Sequence, residues 1–234
     1  MVRTFVFITA ATALFGWEGS AIVESPNRSL LSSEISAKII KIPYRNGEKF
    51  EKGATLVEYD CSLLKTQQEK IGAELTGLRA KYESYQKMAS LNSIGELDVS
   101  MALSELRKKE AEQKMADISV SKCEVKAPYD GKIQKLLTHE HEYVGEQKEL
   151  MEIVGTRLLE LDIMIPAKAV SSVGIGQKVY FVSDETRQQA EGTVSGINPA
   201  VDPISQTIHV RAKLTTFSQY VLPGTVGSVR FGKK

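Results

Sequence analysis

The fold is decided by a stretch that the chain contains twice: "AKIIKIPYRNGEKFEKGATLVEY", residues 37–59. An offset of 94 residues places this stretch, without a gap, on "GKIQKLLTHEHEYVGEQKELMEI", residues 131–153. The matched apolar positions are spaced as in half-buried strands. Chance agreement between two β-rich stretches is the alternative. The repeat predicts a small β-sandwich in which each half supplies one inner face.

The turns of the two copies carry different residues. Gly47 and Gly53 mark turns in the first copy, because glycine adopts a positive φ without steric cost. His141 and Gln147 occupy the matching positions of the second copy. The prediction is therefore that the turns of the second copy differ from those of the first.

A helical hairpin is predicted between the copies, over residues 61–121. In its first helix the spacing alternates between four and three residues, as in a coiled-coil seam, at Leu64, Gln68, Ile71, Leu75, Leu78, Tyr82, Tyr85 and Ala89. The second helix, residues 96–121, has a broken stripe: Val99, Leu103, Leu106, Met115, Ala116 and Val120. We expect a projecting antiparallel hairpin with polar flanks. The alternative is that the seam packs onto a globular core.

The two cysteines, Cys61 and Cys123, lie at equal distances from Asn92 in the predicted turn. Residues equidistant from the turn of an antiparallel hairpin lie side by side. The spacing therefore predicts a disulfide at the base of the hairpin, and an oxidising compartment favours it. The alternative is two unpaired, buried small side chains.

The N-terminus has the composition of a secretory signal. Arg3 precedes a 14-residue apolar run, residues 4–17, and the small residues Gly19 and Ala21 follow. The prediction is a signal peptide over residues 1–21, cleaved after Ala21, and an exported protein. An uncleaved anchor or a buried core segment is the alternative.

A third β-rich region follows the repeat. Leu159, Leu161, Ile163 and Ile165 alternate with polar residues, and glycine and proline punctuate the stretches that follow. This pattern predicts a small closed barrel over residues 156–234. The fold class is therefore mainly β with an inserted helical hairpin, and the sandwich halves span residues 29–60 and 122–155.

The order of these parts resembles the periplasmic adaptors, or membrane fusion proteins of the HlyD type. The resemblance is carried by "ISAKIIKIPYRNGEKFEKGATLVEYD", the hairpin, "VKAPYDGKI", "GTVSGINPAVDPISQTIHVRAKL" and "LPGTVGSVRF". It implies a lipoyl-like domain split by the hairpin and followed by a β-barrel. It also implies efflux transport, in which an inner-membrane transporter, favoured to be of the resistance-nodulation-division (RND) class, is coupled to an outer-membrane channel. Self-association into a ring and a periplasmic location beside the inner membrane are further expectations.

The sequence departs from this family at the hairpin tip. An R-x3-L-x6-S pattern, thought to dock the channel, would fall on Ser84, Met88 and Gly95, so only its apolar position is kept. We expect channel docking at the tip residues Met88, Leu91, Asn92, Ser93, Ile94 and Gly95, with a plain helix–helix turn as the alternative. The Arg-Thr pair common in the family is Gln206-Thr207, and the additional membrane-proximal domain of larger adaptors is expected to be absent.

Composition and motifs indicate no enzyme. The formal net charge of +1 gives no electrostatic argument for nucleic acid, and no catalytic constellation is present. No cofactor is expected, because the hairpin occupies the connection where a carrier domain's modified turn would lie. His139 and His141 are weak metal-ligand candidates. They support the alternative function, an exported solute- or metal-binding protein.

Overall fold

The computed structural model describes residues 18–232, which form two compact units. One unit runs Arg28–Val154, and the other combines the described residues before it with those after it. Among the described residues, no helix has both the length and the apolar character needed to cross a membrane. The predicted fold class, mainly β with an inserted helical hairpin, is confirmed.

The sandwich consists of two four-stranded antiparallel sheets, ordered β2-β9-β7-β4 and β6-β5-β3-β8. Its strands are β2 (Arg28–Ser32), β3 (Ala37–Lys41), β4 (Lys49–Phe50), β5 (Thr55–Tyr59), β6 (Glu124–Lys126), β7 (Gly131–Leu136), β8 (Tyr143–Val144) and β9 (Glu149–Gly155). Exchanging each strand of the first copy with its counterpart in the second converts one sheet order into the other. The register follows the same symmetry, since Lys49 pairs with Lys132 and Tyr143 pairs with Lys38. The sequence repeat is therefore a pseudo-two-fold repeat in space.

The sandwich core is built from matched positions of the two copies. Ile39 and Ile133 are fully buried, as are Leu56 and Leu150. Each such side chain contributes about 2 kcal/mol by leaving water. Because the two copies supply the two sheets jointly, neither copy could bury these side chains alone.

The turns of the two copies are the same, so the prediction that they differ is wrong. Gly47 and His141 have φ values of 85° and 70°, and Gly53 and Gln147 have φ values of 84° and 65°. The hydrogen bonds match too. The Gly47 N–H donates to the Ile133 carbonyl, and the His141 N–H donates to the Ile39 carbonyl. The backbone pairing of the repeat thus determines these turns, and two residues with a Cβ are held in the left-handed region.

The hairpin is made by α1 (Ser62–Ser90) and α2 (Glu96–Ser121). All eight predicted seam residues of α1 are partly buried. In α2 the partly or fully buried seam is regular and includes polar residues: Val99, Ala102, Leu106, Lys109, Gln113, Ala116 and Val120. Met115, predicted to lie on the stripe, is 69% exposed. The stripe looked broken because Lys109 and Gln113 occupy two heptad positions that an apolar pattern does not detect.

The barrel is closed by six antiparallel strands in the order β1-β10-β13-β12-β11-β14. They are β1 (Glu18–Glu24), β10 (Glu160–Pro166), β11 (Lys178–Ser183), β12 (Gln189–Ile197), β13 (Thr207–Phe217) and β14 (Val226–Phe231), with a short 3₁₀ helix at Ala167–Ser172. The alternating residues Leu159, Leu161, Ile163 and Ile165 are buried in its core.

The first barrel strand corrects the predicted barrel boundary and overlaps the predicted end of the signal. β1 pairs with β10 and β14 and so closes the barrel, which the predicted range 156–234 omitted. Ala21 is fully buried in this strand. Cleavage directly after Ala21 would remove residues 18–21, which pair with β10 and β14, so the predicted cleavage position conflicts with this strand and stays a prediction. The remainder of the predicted signal, residues 1–17, lies outside the described residues.

Candidate functional site: the tip of the helical hairpin

The backbone of the tip is held by hydrogen bonds at both helix ends. The N–H groups of Leu91 and Ser93 donate to the Met88 carbonyl, and the Asn92 N–H donates to the Ala89 carbonyl. Asn92 has a φ of 57°, a conformation that asparagine tolerates better than most residues. These hydrogen bonds provide donors for carbonyl groups at the end of α1 that would otherwise lack partners.

The second helix starts with a cap of its own. The Gly95 N–H donates to the Asp98 carboxylate at 3.3 Å, which fixes the entry into α2. Because hydrogen bonds cap the end of α1 and the start of α2, the backbone of the tip has a defined conformation.

The tip exposes large apolar side chains. Leu91 is 75% exposed, and Leu97 and Met101 in the first turns of α2 are 71% and 57% exposed. The six predicted tip residues lie together at this turn, and Met88 is also exposed. Sequence reasoning missed Leu97 and Met101. The sequence contained a signal for these two residues, because they are four residues apart on α2 and both lie off its buried seam. Exposed apolar side chains grouped at the end of a protruding element are typical of a docking surface.

Polar contacts link α1 and α2 midway along the hairpin. The Lys109 ammonium lies 2.6 Å from Glu112 and 2.7 Å from Glu74 on the facing helix. The hydrogen bond to Glu112 has the largest effect, and together with the bond to Glu74 it raises the pKa of Lys109. The bond from Lys109 in turn lowers the pKa of the Glu74 carboxyl. Solvent screens ion pairs near a surface, so these pairs specify the helix register more than they stabilise it.

A second polar cluster lies nearer the base. The Gln68 and Gln113 amides each donate to Asp117 at 2.7 Å and together lower the pKa of its carboxyl. Gln68 is the polar seam position that the sequence revealed. The side-chain oxygen of Gln113 is buried and has no hydrogen-bond partner among the described residues.

At the base, Cys61 and Cys123 form a disulfide with a Cα–Cα distance of 6.0 Å. Cys61 directly precedes α1, and Cys123 lies two residues beyond the end of α2. Both cysteines are buried in the sandwich core cluster. The bond therefore links the two strands of chain at the point where the hairpin leaves the sandwich.

The histidine candidates do not come together as a metal site. His139 is exposed and lies 3.9 Å from Glu142, and His141 is exposed in the left-handed turn. His209, in the barrel, contacts Asp162 at 2.8 Å. Across residues 18–232, no three histidine, cysteine or acidic side chains are grouped so that they could hold a metal ion.

Curated relatives share sequence with most of this chain. No protein-family model matches it. It is 28% identical over 198 residues to the nodulation protein NolF of Rhizobium meliloti, covering 78% of this chain and 54% of that protein. It is 23% identical over 235 residues to the multidrug resistance protein MdtA of Escherichia coli, covering 91% of this chain and 57% of that protein. The chain thus spans about half the length of the curated relatives it matches.

Solved structures share its fold. A MacA–MexA chimera carrying the α-hairpin domain of Pseudomonas aeruginosa MexA aligns with a TM-score of 0.79 at 16% identity, over 92% of this chain and 80% of that one. A membrane fusion protein of Streptococcus pneumoniae aligns with a TM-score of 0.73 at 16% identity, over 93% of this chain and 99% of that one. This chain has the membrane fusion protein fold. The resemblance predicted from the order of its parts is confirmed.

Proposed function

We propose that this membrane fusion protein acts as a periplasmic adaptor, coupling an inner-membrane transporter of the RND class to an outer-membrane channel. It works without catalysis, through its shape and its protein contacts, and it associates with further copies of itself. The similarity to a multidrug resistance protein favours efflux as the transport process.

The exposed apolar tip carries this proposal. Leu91, Leu97 and Met101 are exposed at the end of a two-helix arm whose base is clamped by a disulfide. Apolar side chains so far from a core add nothing to the stability of the fold. They gain free energy only when a partner covers them. An arm of 29 and 26 residues per helix is about 40 Å long, which suits contact with a distant partner.

The test is photo-crosslinking in cells from a probe at Asn92, with a second probe at Lys178, the exposed first residue of β11. We expect the tip probe to capture an outer-membrane channel and the barrel probe to capture a transporter. A probe at Lys108, exposed midway along α2, is the matched control and should capture neither.

Substitutions at the tip refine the test. Leu91→Asp and Leu97→Asp should abolish capture by the Asn92 probe without lowering the melting temperature, because both side chains are exposed. Ser104→Asp, exposed farther along α2, is the control for the added charge. If an abundant, folded protein captured no membrane protein at either probe, the adaptor function would be refuted.

A further inference from the structure

One end of the barrel is closed by a connection that crosses it. At this end β1, β11 and β13 begin, and β10, β12 and β14 finish. The 3₁₀ helix connects β10 to β11, which are not neighbours in the barrel, and it places Ala169 in the barrel core. We call this the plugged end. The connection of residues 167–177 and the loop of residues 198–206 form its surface, and the Ala167 N–H donates to the Gln206 carbonyl between them at 2.9 Å.

Large apolar side chains are exposed at the plugged end. Ile204 is 95% exposed, Ile175 is 75% exposed and Val201 is 48% exposed. The loop that carries Ile204 is ordered, because the Asp202 carboxylate accepts hydrogen bonds at 2.9 Å from the N–H groups of Ile204 and Ser205. Side chains so exposed add nothing to the barrel core and gain free energy only when something covers them.

The two ends of the barrel differ in charge. Counted over the strand ends and the connections between them, the plugged end has the charged residues Lys168, Lys178, Glu18 and Asp202. Two further lysines, Lys233 and Lys234, follow β14 in the sequence and bring the net charge to +2. The opposite end has a net charge of −2, from Arg157, Arg187, Glu24, Glu160, Asp184 and Glu185.

The two anions of the plugged end are engaged within the barrel. The Glu18 carboxylate lies 2.8 Å from the Arg230 guanidinium, and the Asp202 carboxylate accepts the two backbone hydrogen bonds described above. The positive charge therefore dominates what this end offers to a partner. The opposite end also exposes apolar side chains, Leu222 among them, so charge is the property that distinguishes the two ends.

The N-terminal apolar run joins the barrel at the plugged end. Glu18 begins β1 at this end, and the apolar residues 4–17 directly precede it in the sequence. One short apolar segment holds a protein to a bilayer only weakly, whereas an apolar segment together with a basic surface holds it stably. In a chain that retains residues 4–17, the run and the plugged end can act on the same bilayer.

We infer that the plugged end binds the surface of an anionic lipid bilayer directly, with Ile204 and Ile175 inserted among the lipids and lysines beside the headgroups. Cations combined with exposed apolar side chains are the features that bind such a surface. Ile175 and Ile204 belong to two separate connections, so their partner must be broad, as a bilayer is. This contact goes beyond the proposed function, because it joins the chain itself to lipid as well as to a transporter.

The first experiment uses a fluorophore whose emission shifts to the blue when it leaves water. Both cysteines of the chain are held in the disulfide, so Ile204→Cys gives the purified full chain one reactive thiol for the label. The label should shift when mixed vesicles of phosphatidylglycerol and phosphatidylcholine are added. It should respond less to phosphatidylcholine alone, which lacks anionic lipid.

The matched control carries the same label at Leu222→Cys, which is 49% exposed at the opposite end of the barrel, and should not shift. Because each label reports only its own surroundings, binding through residues 4–17 cannot imitate this difference. No shift at residue 204, or equal shifts at residues 204 and 222, would overturn the inference.

Variants separate the apolar contribution from the charge, with binding measured by co-sedimentation with the mixed vesicles. Ile204→Ser should weaken binding by about ten-fold, and Leu222→Ser should not. Lys178→Glu should weaken binding by about five-fold or more. Lys213→Glu, exposed on β13 away from the plugged end, changes the net charge equally and should have little effect. Equal losses for the two lysine variants would contradict the assignment to this end.

The outcomes separate this inference from the adaptor function, because the vesicles contain neither a transporter nor a channel. If the Asn92 probe captures a channel in cells while the label at residue 204 does not respond to vesicles, the adaptor function stands and the lipid contact is wrong. The same holds if the Lys178 probe captures a transporter without a lipid response. If the label enters the bilayer while neither probe captures a membrane protein, the lipid contact stands and the adaptor function is refuted.

Discussion

Replacing His141 and Gln147 with glycine should stabilise the protein. A residue with a Cβ pays about 1–2 kcal/mol for the left-handed conformation that both residues adopt. Glycine avoids this cost but adds about 0.4–1 kcal/mol of conformational entropy to the unfolded chain. The net gain is about 0.5–1 kcal/mol per site by this balance, and about 1–2 kcal/mol for the double variant.

The first copy of the repeat provides the reverse experiment. Gly47 and Gly53 have the same positive φ, and a Cβ at either position would meet no atom within 4 Å. Gly47→Ala and Gly53→Ala should therefore each cost about 0.5–1 kcal/mol through backbone conformation alone. Gly145→Ala, in the second copy without a positive φ and with Ser36 at 4.0 Å, should not be destabilising.

The assay is urea unfolding followed by the α-helical circular dichroism signal of α1 and α2, which belong to the same unit as the turns. Protein concentration is kept low, because association of the wild-type chain would add stability by mass action. If the glycine variants lose stability while Gly47→Ala and Gly53→Ala cost nothing, the equivalence of the turns is refuted.

Three further changes have defined outcomes. The double variant Cys61→Ser with Cys123→Ser removes the disulfide, whose cysteines are 62 residues apart in sequence. The chain-entropy relation predicts that the unfolding free energy falls by about 4 kcal/mol. Equal urea midpoints for the double variant and the wild type would contradict this. Gly227→Ala should unfold the barrel at lower temperature, because the new Cβ would lie 2.6 Å from the Phe181 ring, whereas Gly196→Ala meets open space and should be neutral by calorimetry. Gln113→Leu removes a buried oxygen without a partner and should raise the unfolding free energy by about 1 kcal/mol, measured by urea titration; a loss would show that the amide's bond to Asp117 dominates.

The architecture could be predicted from the sequence because each of its signals was periodic. The offset between residues 37–59 and 131–153 pointed to paired sheets, and the heptad spacing in α1 gave its buried seam residue by residue. The prediction of the buried seam of α2 was incomplete for a physical reason. Lys109 is partly buried because its ammonium reaches Glu74 and Glu112, and hydropathy alone cannot show such a contact.

The start of the barrel was predicted incorrectly for a different reason. β1 is separated in sequence from its partner strands β10 and β14, and its small residues also fit the end of a signal. Only the pairing of distant strands distinguishes the two interpretations, and local composition does not encode that pairing. The tip was partly predictable: its turn formers were visible, but the exposure of Leu97 and Met101 depends on which face of α2 meets α1.

The repeat explains how a long arm can be inserted into a small domain. In an undivided sandwich the connection between β5 and β6 would be a tight turn, since these strands are neighbours in one sheet. Their adjacent ends can therefore accept any insertion whose own ends lie equally close. An antiparallel hairpin meets this condition, and the disulfide holds its ends with a Cα–Cα distance of 6.0 Å. The sandwich thus keeps its pairing unchanged, while the arm can vary in length and tip chemistry without a cost to the core.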